Sequence, residues 1–206
     1  MITHTGKIHQ LLFPSLLWRM PSKKIFLTFD DGPHLVATPI VLDVLKKHGV
    51  KATFFLTGEN IATREALIKR IAAEGHSIGI HAYHHTRALA FSKKQTKEEI
   101  LHTLGELRTL TPQKIRLFRP PFGFFSWNTI AAARELGFVL VMWSCLTGDF
   151  RNWNIEKVVQ TALHKLQGGS ILVFHDNTLT ENKIENILER VIMAAKEQGF
   201  EFGAIR

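Results

Sequence analysis

The sequence predicts an α/β protein whose parallel sheet curls into a distorted (β/α)7-type barrel. Short apolar runs alternate with longer amphipathic runs along nearly all of the 206 residues, a pattern typical of strands connected by helices. Seven strand candidates fit a barrel-like closure better than a flat, open sheet. No repeat, low-complexity tract or linker rich in Pro, Gly or Ser divides the chain. One main domain is therefore predicted over residues 24–206.

Each strand candidate is a short run rich in β-branched and aromatic residues. The candidates are KIFLTF (24–29), KATFFLTG (51–58), HSIGIH (76–81), KIRLFRP (114–120), FVLVMWS (138–144), SILVFHD (170–176) and FEFGAI (200–205). The connecting helices are predicted from apolar spacing and, in most cases, from a glycine just past the last turn. They are expected at 38–49, 61–75, 96–110, 126–136, 155–167 and 182–198.

Composition narrows the class of protein. A hydrophobic content of 45% with 15 Phe is enough for a sizeable core, and the single cysteine, Cys145, excludes an intrachain disulfide. The net charge of +8 is spread along the chain rather than gathered in a basic block. Solvated faces explain this charge best, an anionic wall polymer is the sharper alternative, and nucleic-acid binding is not predicted.

Residues 1–23 are interpreted as an N-terminal extension. Its apolar stretch LLFPSLLW (11–18) is too short to span a membrane and contains Pro14. No small-residue cleavage site follows, so an export signal is not predicted. We expect the extension to pack on the domain or to lie at a membrane surface. Location stays open between the cytoplasm, taken by default, and the cell envelope, and the oligomeric state is not predicted.

Titratable residues stand at the carboxyl end of nearly every predicted strand. In parallel α/β barrels these strand ends lie at one rim, where the chemistry of such folds is found. The residues brought to this rim are Asp30, Asp31, His81, Arg119, Asp149, His175 and Asp176. Their convergence predicts a catalytic site.

The segment HAYHH (81–85) predicts a metal site. His81 and His85 are four residues apart, one helical turn, so they are expected to share a face. Two imidazoles with the Asp31 carboxylate suit Zn²⁺ with a position left open for water. A surface histidine cluster is the alternative, and His84 is a rival ligand three residues from His81.

The remaining rim residues have both catalytic and structural interpretations. One aspartate of the Asp30–Asp31 pair can bind the cation while the other accepts a proton, although DDGP also suits a simple turn. Arg119 can hold the free aspartate ionised or form an ordinary salt bridge. His175 can act as an acid or fill the core. Asp149 can raise the pKa of His175 or cap a loop.

Five segments in this order resemble the motifs of the polysaccharide deacetylases, the NodB-homology domain of carbohydrate esterase family four. They are TFDDGP, HAYHH, RPPFG, WSCLTGDF and VFHD, and the resemblance covers roughly residues 24–205. It implies one divalent metal, Zn²⁺ first and Co²⁺, Ni²⁺ or Mn²⁺ otherwise. The implied ligands are Asp31, His81 and His85.

The resemblance also assigns the other roles. Asp30 would be the general base, oriented by Arg119, and His175 the general acid, tuned by Asp149. The N–H of Phe122 would help to bind the oxyanion. The implied reaction is deacetylation of N-acetylated glycans of the peptidoglycan or chitin type. O-deacetylation of xylan-type esters and a catalytically silent carbohydrate-binding module are the alternatives.

Three positions depart from the family pattern. Leu146 and Phe150 stand where the fourth motif commonly has Asp and Trp, and Ala82 stands where the second motif usually has Ser or Thr. The first two are expected to alter the apolar floor of the acetyl pocket. Ala82 is expected to remove a hydrogen bond at the start of a helix.

Overall fold

The computed structural model describes residues 4–5 and 7–206. The strands are β1 Phe26–Asp30, β2 Thr53–Leu56, β3 Ser77–Ile80, β4 Leu117–Phe118, β5 Val139–Leu140, β6 Cys145–Leu146 and β7 Ile171–His175. The helices are α1 Lys7–Leu12, α2 Ala37–Lys47, α3 Glu65–Ala73, α4 Lys93–Leu110, α5 Trp127–Glu135, α6 Ile155–Leu163 and α7 Ile184–Glu197. No helix in this described part of the chain is long and apolar enough to cross a membrane.

The strands form one parallel sheet in the order β5-β4-β3-β2-β1-β7-β6. In a flat sheet, three spacings of about 4.8 Å would separate β4 from β1, farther than an arginine side chain reaches. Arg119, directly after β4, nevertheless bonds Thr28 and Asp30 of β1 at 2.8 and 2.7 Å. The sheet is therefore curled, and the predicted fold class, a distorted (β/α)7-type barrel, is confirmed.

One strand prediction was wrong and one strand was missed. Residues 200–205 form a single bridge, between Ile25 and Phe202, instead of a strand. The seventh strand is β6, Cys145–Leu146, which pairs with β7. The predicted strand 138–144 is shortened to β5, because the chain leaves the sheet after Leu140 and returns at Cys145 on the opposite edge. Two-residue strands carry no periodicity, so the sequence gives no signal for β6.

Strand register separates the two faces of the sheet. Phe29 lies beside Phe54 and Phe174 on the neighbouring strands, and its ring stacks on theirs at 5.0 and 5.9 Å. Side chains alternate along a strand, so Thr28 and Asp30 face the opposite way, into the curl. The fold thus packs aromatic rings on one face of β1 and directs its polar side chains toward Arg119 on the other.

The segment 16–20 lies across the gap between the sheet edges. Leu17 accepts a hydrogen bond from Met142 and donates one to Leu140, at 2.8 and 2.9 Å. Leu16 and Trp18 are each 5% exposed. The Met20 amide donates to the Gly169 carbonyl at 2.9 Å. Hydrogen bonds and burial therefore join this segment to the domain.

Gly169 provides a test of that contact. A Cβ added there would lie 2.1 Å from the Met20 carbonyl oxygen, whereas one added at Gly199 would meet nothing within 4 Å. Both glycines have a φ near +80°, so alanine at either position costs about 1–2 kcal/mol in backbone strain. We expect Gly169→Ala to lower the free energy of unfolding by about 1–3 kcal/mol more than Gly199→Ala, because it also overpacks the contact. Urea unfolding measures both; equal losses would contradict the contact between Met20 and Gly169.

Candidate active site

The carboxyl ends of the strands surround one cavity. Asp30 ends β1 and lies in register with His175, which ends β7; His81 follows β3 and Arg119 follows β4. The cavity is lined by Asp30, Asp31, His81, His85, Phe122, Gly123, Trp143, Leu146, Phe150, His175, Asn177 and Leu179. Arg119 and Asp149 lie behind this lining, both fully buried. The structure thus brings the predicted catalytic residues and metal ligands to one place. Asp176, also predicted at this rim, does not line the cavity: it is fully buried and accepts a hydrogen bond from Thr38.

Asp31, His81 and His85 form a cluster able to hold a cation. One ligand atom from each lies within 4.8 Å of the others. The Asp31 Oδ1 atom is 3.2 Å from His85 Nε2 and 3.6 Å from His81 Nε2. The predicted helical turn between the histidines was wrong, because residues 81–86 are irregular, with a bend at 83–84. The expected loss of a helix-start hydrogen bond at Ala82 therefore does not apply.

The donor atoms in this cluster fit a divalent metal. Asp31 Oδ1 is buried and has no hydrogen-bond partner among the described residues, although an unpaired buried carboxylate oxygen is costly. His81 Nδ1 lies 2.8 Å from the Arg119 carbonyl oxygen, and a carbonyl only accepts, so Nδ1 carries the proton. His81 Nε2 is then an unprotonated donor atom that faces Asp31. Two imidazole nitrogens and one carboxylate oxygen suit Zn²⁺.

His84, the rival ligand, has a different partner. Its Nδ1 atom lies 2.9 Å from Glu99 Oε1, and the Glu99 carboxylate also accepts the His84 backbone N–H. This ion pair raises the pKa of His84. The cluster of possible metal ligands contains His85 instead, so the geometry favours His85.

Asp30 is held by the buried guanidinium of Arg119. Arg119 Nη1 donates to Asp30 Oδ1 at 2.7 Å, and Asp30 itself is 4% exposed. The other Arg119 donors bond the Val141 and Met142 carbonyls at 3.2 and 3.0 Å. The guanidinium also lies 4.1 Å from the centre of the Phe55 ring. Each of the three guanidinium nitrogens thus has a hydrogen-bond acceptor, so this buried charge can orient Asp30.

His175 is held on its inner side by Asp149. The Asp149 carboxylate accepts from His175 Nδ1 at 2.8 Å and from the His175 backbone N–H at 2.7 Å. Burial lowers the pKa of His175, but the charge and hydrogen bond of Asp149, with smaller effects of Asp31 and Asp30, raise it to about 9. Since Nδ1 is occupied, Nε2 is the atom that a substrate in the cavity can meet. At neutral pH this imidazole is a proton donor.

The RPPFG segment forms a second wall of the cavity. The Phe122 backbone has a φ of 58°, and its ring lies 4.3 Å from that of His85. The amides of Gly123 and Phe124 donate to the Pro120 and Pro121 carbonyls. A Cβ at Gly123 would fall 2.1 Å from the Trp143 ring, so only glycine lets the segment approach that ring.

The fourth-motif departures lie in the cavity lining, as does Trp143. Leu146 is 2% exposed, and the edge of Phe150 meets His175 at a ring separation of 4.9 Å. Together with Leu179 they supply apolar side chains to the lining of the cavity that also contains the metal-ligand cluster. Phe150 thus keeps an aromatic ring in the lining at the position where the fourth motif commonly has Trp.

Sequence reasoning missed three polar residues around the site. Thr28 accepts a hydrogen bond from Arg119, and Asn177 donates one to Asp31. Thr38 donates to Asp176, whose burial, together with nearby carboxylates, raises its pKa to about 8. The predicted sheet register could have indicated Thr28, which lies two residues before Asp30 on the same face. Thr38 lies in the first turn of α2, where the apolar spacing predicts a helix but not a partner for this hydroxyl. Asn177 lies in the loop after β7, where no periodicity indicates a direction.

Comparison with known proteins gives concordant matches. A sequence model of the polysaccharide deacetylase family matches residues 19–141. A Bacillus cereus protein named peptidoglycan-N-acetylglucosamine deacetylase is 35% identical over 181 residues, which cover 87% of this chain and 66% of that protein. A Bradyrhizobium protein named chitooligosaccharide deacetylase is 30% identical over 192 residues, covering 87% of this chain and 88% of the other.

One solved structure is similar over nearly its full length. It is the crystal structure of the Bc1960 peptidoglycan N-acetylglucosamine deacetylase in complex with 4-naphthalen-1-yl-N-oxidanyl-benzamide. It superposes with a TM-score of 0.89 at 31% identity, covering 97% of this chain and 95% of that chain. The structural match includes the carboxyl-terminal part of the chain, which the family model leaves out. By contrast, this chain spans only 66% of the Bacillus cereus relative named above.

The two rival histidines provide a metal-binding test. We expect His85→Ala to weaken Zn²⁺ binding at least about tenfold, a loss typical even of residues that only support a ligand. His84→Ala, the matched control, should bind Zn²⁺ as the unaltered protein does, because His84 pairs with Glu99. Competition with a chromogenic chelator measures both affinities. Equal losses in the two variants would remove His85 from the ligand set.

Proposed function

This chain belongs to the polysaccharide deacetylase family, and we propose that it removes acetyl groups from N-acetylglucosamine glycans by metal-assisted hydrolysis. The observation that carries the proposal is the unpaired Asp31 Oδ1 atom, which lies between two imidazoles. The Asp30 carboxylate, bonded to Arg119, and the His175 imidazole, bonded to Asp149, line the same cavity. The names of the relatives favour peptidoglycan or chitin-type oligomers as substrates.

Asp31, His81 and His85 would hold the metal, with Zn²⁺ as the first choice for this donor set. When bound, such an ion polarises the acetyl carbonyl and makes water a nucleophile near neutral pH. Burial raises the pKa of Asp31, but three nearby imidazoles, His175 first, and one amide donor lower it by more. Asp31 is therefore ionised and ready to bind a cation.

Asp30 is assigned the role of general base. It lines the cavity and neighbours Asp31, while Arg119 fixes the direction of its carboxylate. In this position it accepts the proton that the attacking water loses as its oxygen adds to the acetyl carbon. Arg119 acts through Asp30 and lies too deep to meet the substrate.

His175 is assigned the role of general acid. The C–N bond of an acetamide breaks only when the departing nitrogen receives a proton, because an unprotonated amine anion is a very poor leaving group. His175 Nε2 gives that proton, and the products are acetate and a free amine. Asp149 stabilises the protonated imidazole before the reaction.

The cavity walls supply the remaining interactions. The Phe122 N–H is assigned to the oxygen of the tetrahedral intermediate, a contact that gains strength as charge develops there. Trp143, Leu146 and Phe150 offer an apolar surface to the acetyl methyl group.

The first test replaces the proposed base. We expect Asp30→Asn to lower acetate release from N-acetylglucosamine oligomers by about 10²–10⁴-fold, because the amide cannot accept the proton. Zn²⁺ affinity should stay near that of the unaltered protein, since Asp30 is not among the three proposed ligands. Acetate release in the presence of Zn²⁺ and Zn²⁺ competition are the measurements.

Stability must be followed in the same test. The new amide can still accept from Arg119 but does not neutralise it, and breaking a buried ion pair costs about 3–5 kcal/mol. The exposed Asp43→Asn is the matched control, because its partner Arg70 lies at the surface. Full turnover by folded Asp30→Asn would refute the base assignment.

The same assay on the unaltered protein separates the alternative functions. Acetate release from acetylated xylan but not from N-acetylglucosamine oligomers would favour an O-esterase. No acetate release from either glycan with Zn²⁺ bound would favour a catalytically silent module.

The acid assignment predicts a pH dependence. A donor must be protonated, so activity should fall as the pH rises through the pKa of His175, which is about 9. A cation held by Asp31 offsets that carboxylate, so the loaded enzyme loses activity somewhat below this value. Removing the Asp149 charge in Asp149→Asn should shift this alkaline limb to lower pH by about 1–3 units. A limb that stayed in place in the pH–rate profile would exclude Asp149 as the tuning residue.

A further inference from the structure

The two oxygens of Asp31 lie in different surroundings. Oδ2 accepts a hydrogen bond from Asn177 Nδ2 at 2.7 Å. Oδ1 is buried, faces the Nε2 atoms of His81 and His85, and has no hydrogen-bond partner among the described residues. If both oxygens of a carboxylate had the same surroundings, either one could face the imidazoles. Here the bond to Oδ2 leaves Oδ1 as the atom directed at the imidazoles.

The orientation of the Asn177 amide is fixed by its own partners. Its Oδ1 atom accepts the backbone N–H of Leu179 at 2.9 Å. A backbone N–H can only donate, so this end of the amide must be oxygen and the end facing Asp31 must be NH₂. Thr180, which is fully buried, donates to the His175 carbonyl at 2.6 Å. Asn177 therefore stands on a turn tied to the end of β7.

The backbone of Asp31 is also held by a neighbouring side chain. Its φ is 77°, in the left-handed region, which aspartate tolerates better than most residues but still at a cost. The Asn60 side chain donates to the Asp31 carbonyl at 2.9 Å. Asn60 thus holds the backbone of Asp31 and Asn177 holds its side chain. A neutral donor leaves the negative charge of Asp31 available to a cation, as a lysine or arginine at the same place would not.

We propose that Asn177 is a positioning residue, which turns the Asp31 carboxylate so that Oδ1 binds the metal together with His81 and His85. The inference rests on the proposed function, since it assumes that these three residues hold a divalent ion. Residues that orient a metal ligand typically contribute about 10–100-fold to metal affinity. Asn177 also ties this ligand to the strand that bears His175.

The test measures Zn²⁺ affinity, by chelator competition, rather than turnover. We expect Asn177→Ala to bind Zn²⁺ about 10–100-fold more weakly than the unaltered protein. The exposed Asn152→Ala is the matched control and should leave the affinity unchanged. Thermal unfolding of the metal-free proteins shows whether each variant is folded.

A second variant separates positioning from a role in the turn. In Asn177→Ser the hydroxyl can still accept the Leu179 N–H, as serine does in comparable turns, but it is too short to reach Asp31. This variant should keep the unfolding temperature of the metal-free protein and show the same weakened Zn²⁺ binding. In an Asp31→Asn background, Asn177→Ser should cause little further loss, because the two residues act through one contact.

The outcomes distinguish this inference from the proposed function. Unchanged Zn²⁺ affinity in folded Asn177→Ser would overturn the role of Asn177 and leave the deacetylase proposal standing. An undiminished effect of Asn177→Ser in the Asp31→Asn background would overturn it too. Failure of the unaltered protein to bind any divalent ion would overturn both.

Discussion

The architecture of the site depends on one buried cation, the Arg119 guanidinium inside the curled sheet. Its donors bond Asp30 and Thr28 of β1 and two carbonyls after β5, and Phe55 of β2 covers its face. A desolvated charge is tolerated only when its partners are all in place. The same contacts therefore join four separate parts of the sheet and fix the direction of one carboxylate at the rim. Stability and catalytic geometry share this interaction.

The cost of placing Asp30 beside Asp31 is reduced by giving each a different partner. Asp30 pairs with the permanent cation of Arg119, in the interior of the curled sheet. Asp31 lies in the left-handed backbone region, which turns its side chain toward His81 and His85 instead. Adjacent residues on a regular strand would also point to opposite faces, and here the turn at Asp31 brings both carboxylates to one cavity. Two like groups thus acquire different chemical roles from their surroundings alone.

The sequence predicts the parts of this structure that depend on periodicity and on strand ends. The family and the fold class were confirmed, and the structure places the residues predicted for catalysis and metal binding in the lining of one cavity or directly behind it. The sequence does not predict features set by tertiary contacts. The two-residue β6 has no pattern of its own and exists because β7 offers it an edge, whereas residues 200–205 look like a strand and find only one bridge. His81 and His85 meet across a bend, although their spacing suggested a helix. The contact between Asn177 and Asp31 depends on the orientation of the Asp31 side chain, which the sequence does not predict.

His81 and His175 show how the fold assigns opposite properties to identical side chains in one cavity. Burial lowers the pKa of both imidazoles. The Nδ1 atom of His81 meets a neutral carbonyl, so burial prevails, the pKa falls and Nε2 stays a lone-pair donor suited to a metal. The Nδ1 atom of His175 meets the Asp149 carboxylate, whose charge outweighs burial and keeps the ring protonated. The partner behind each ring, on the side away from the cavity, therefore decides whether that histidine is suited to bind a cation or to donate a proton.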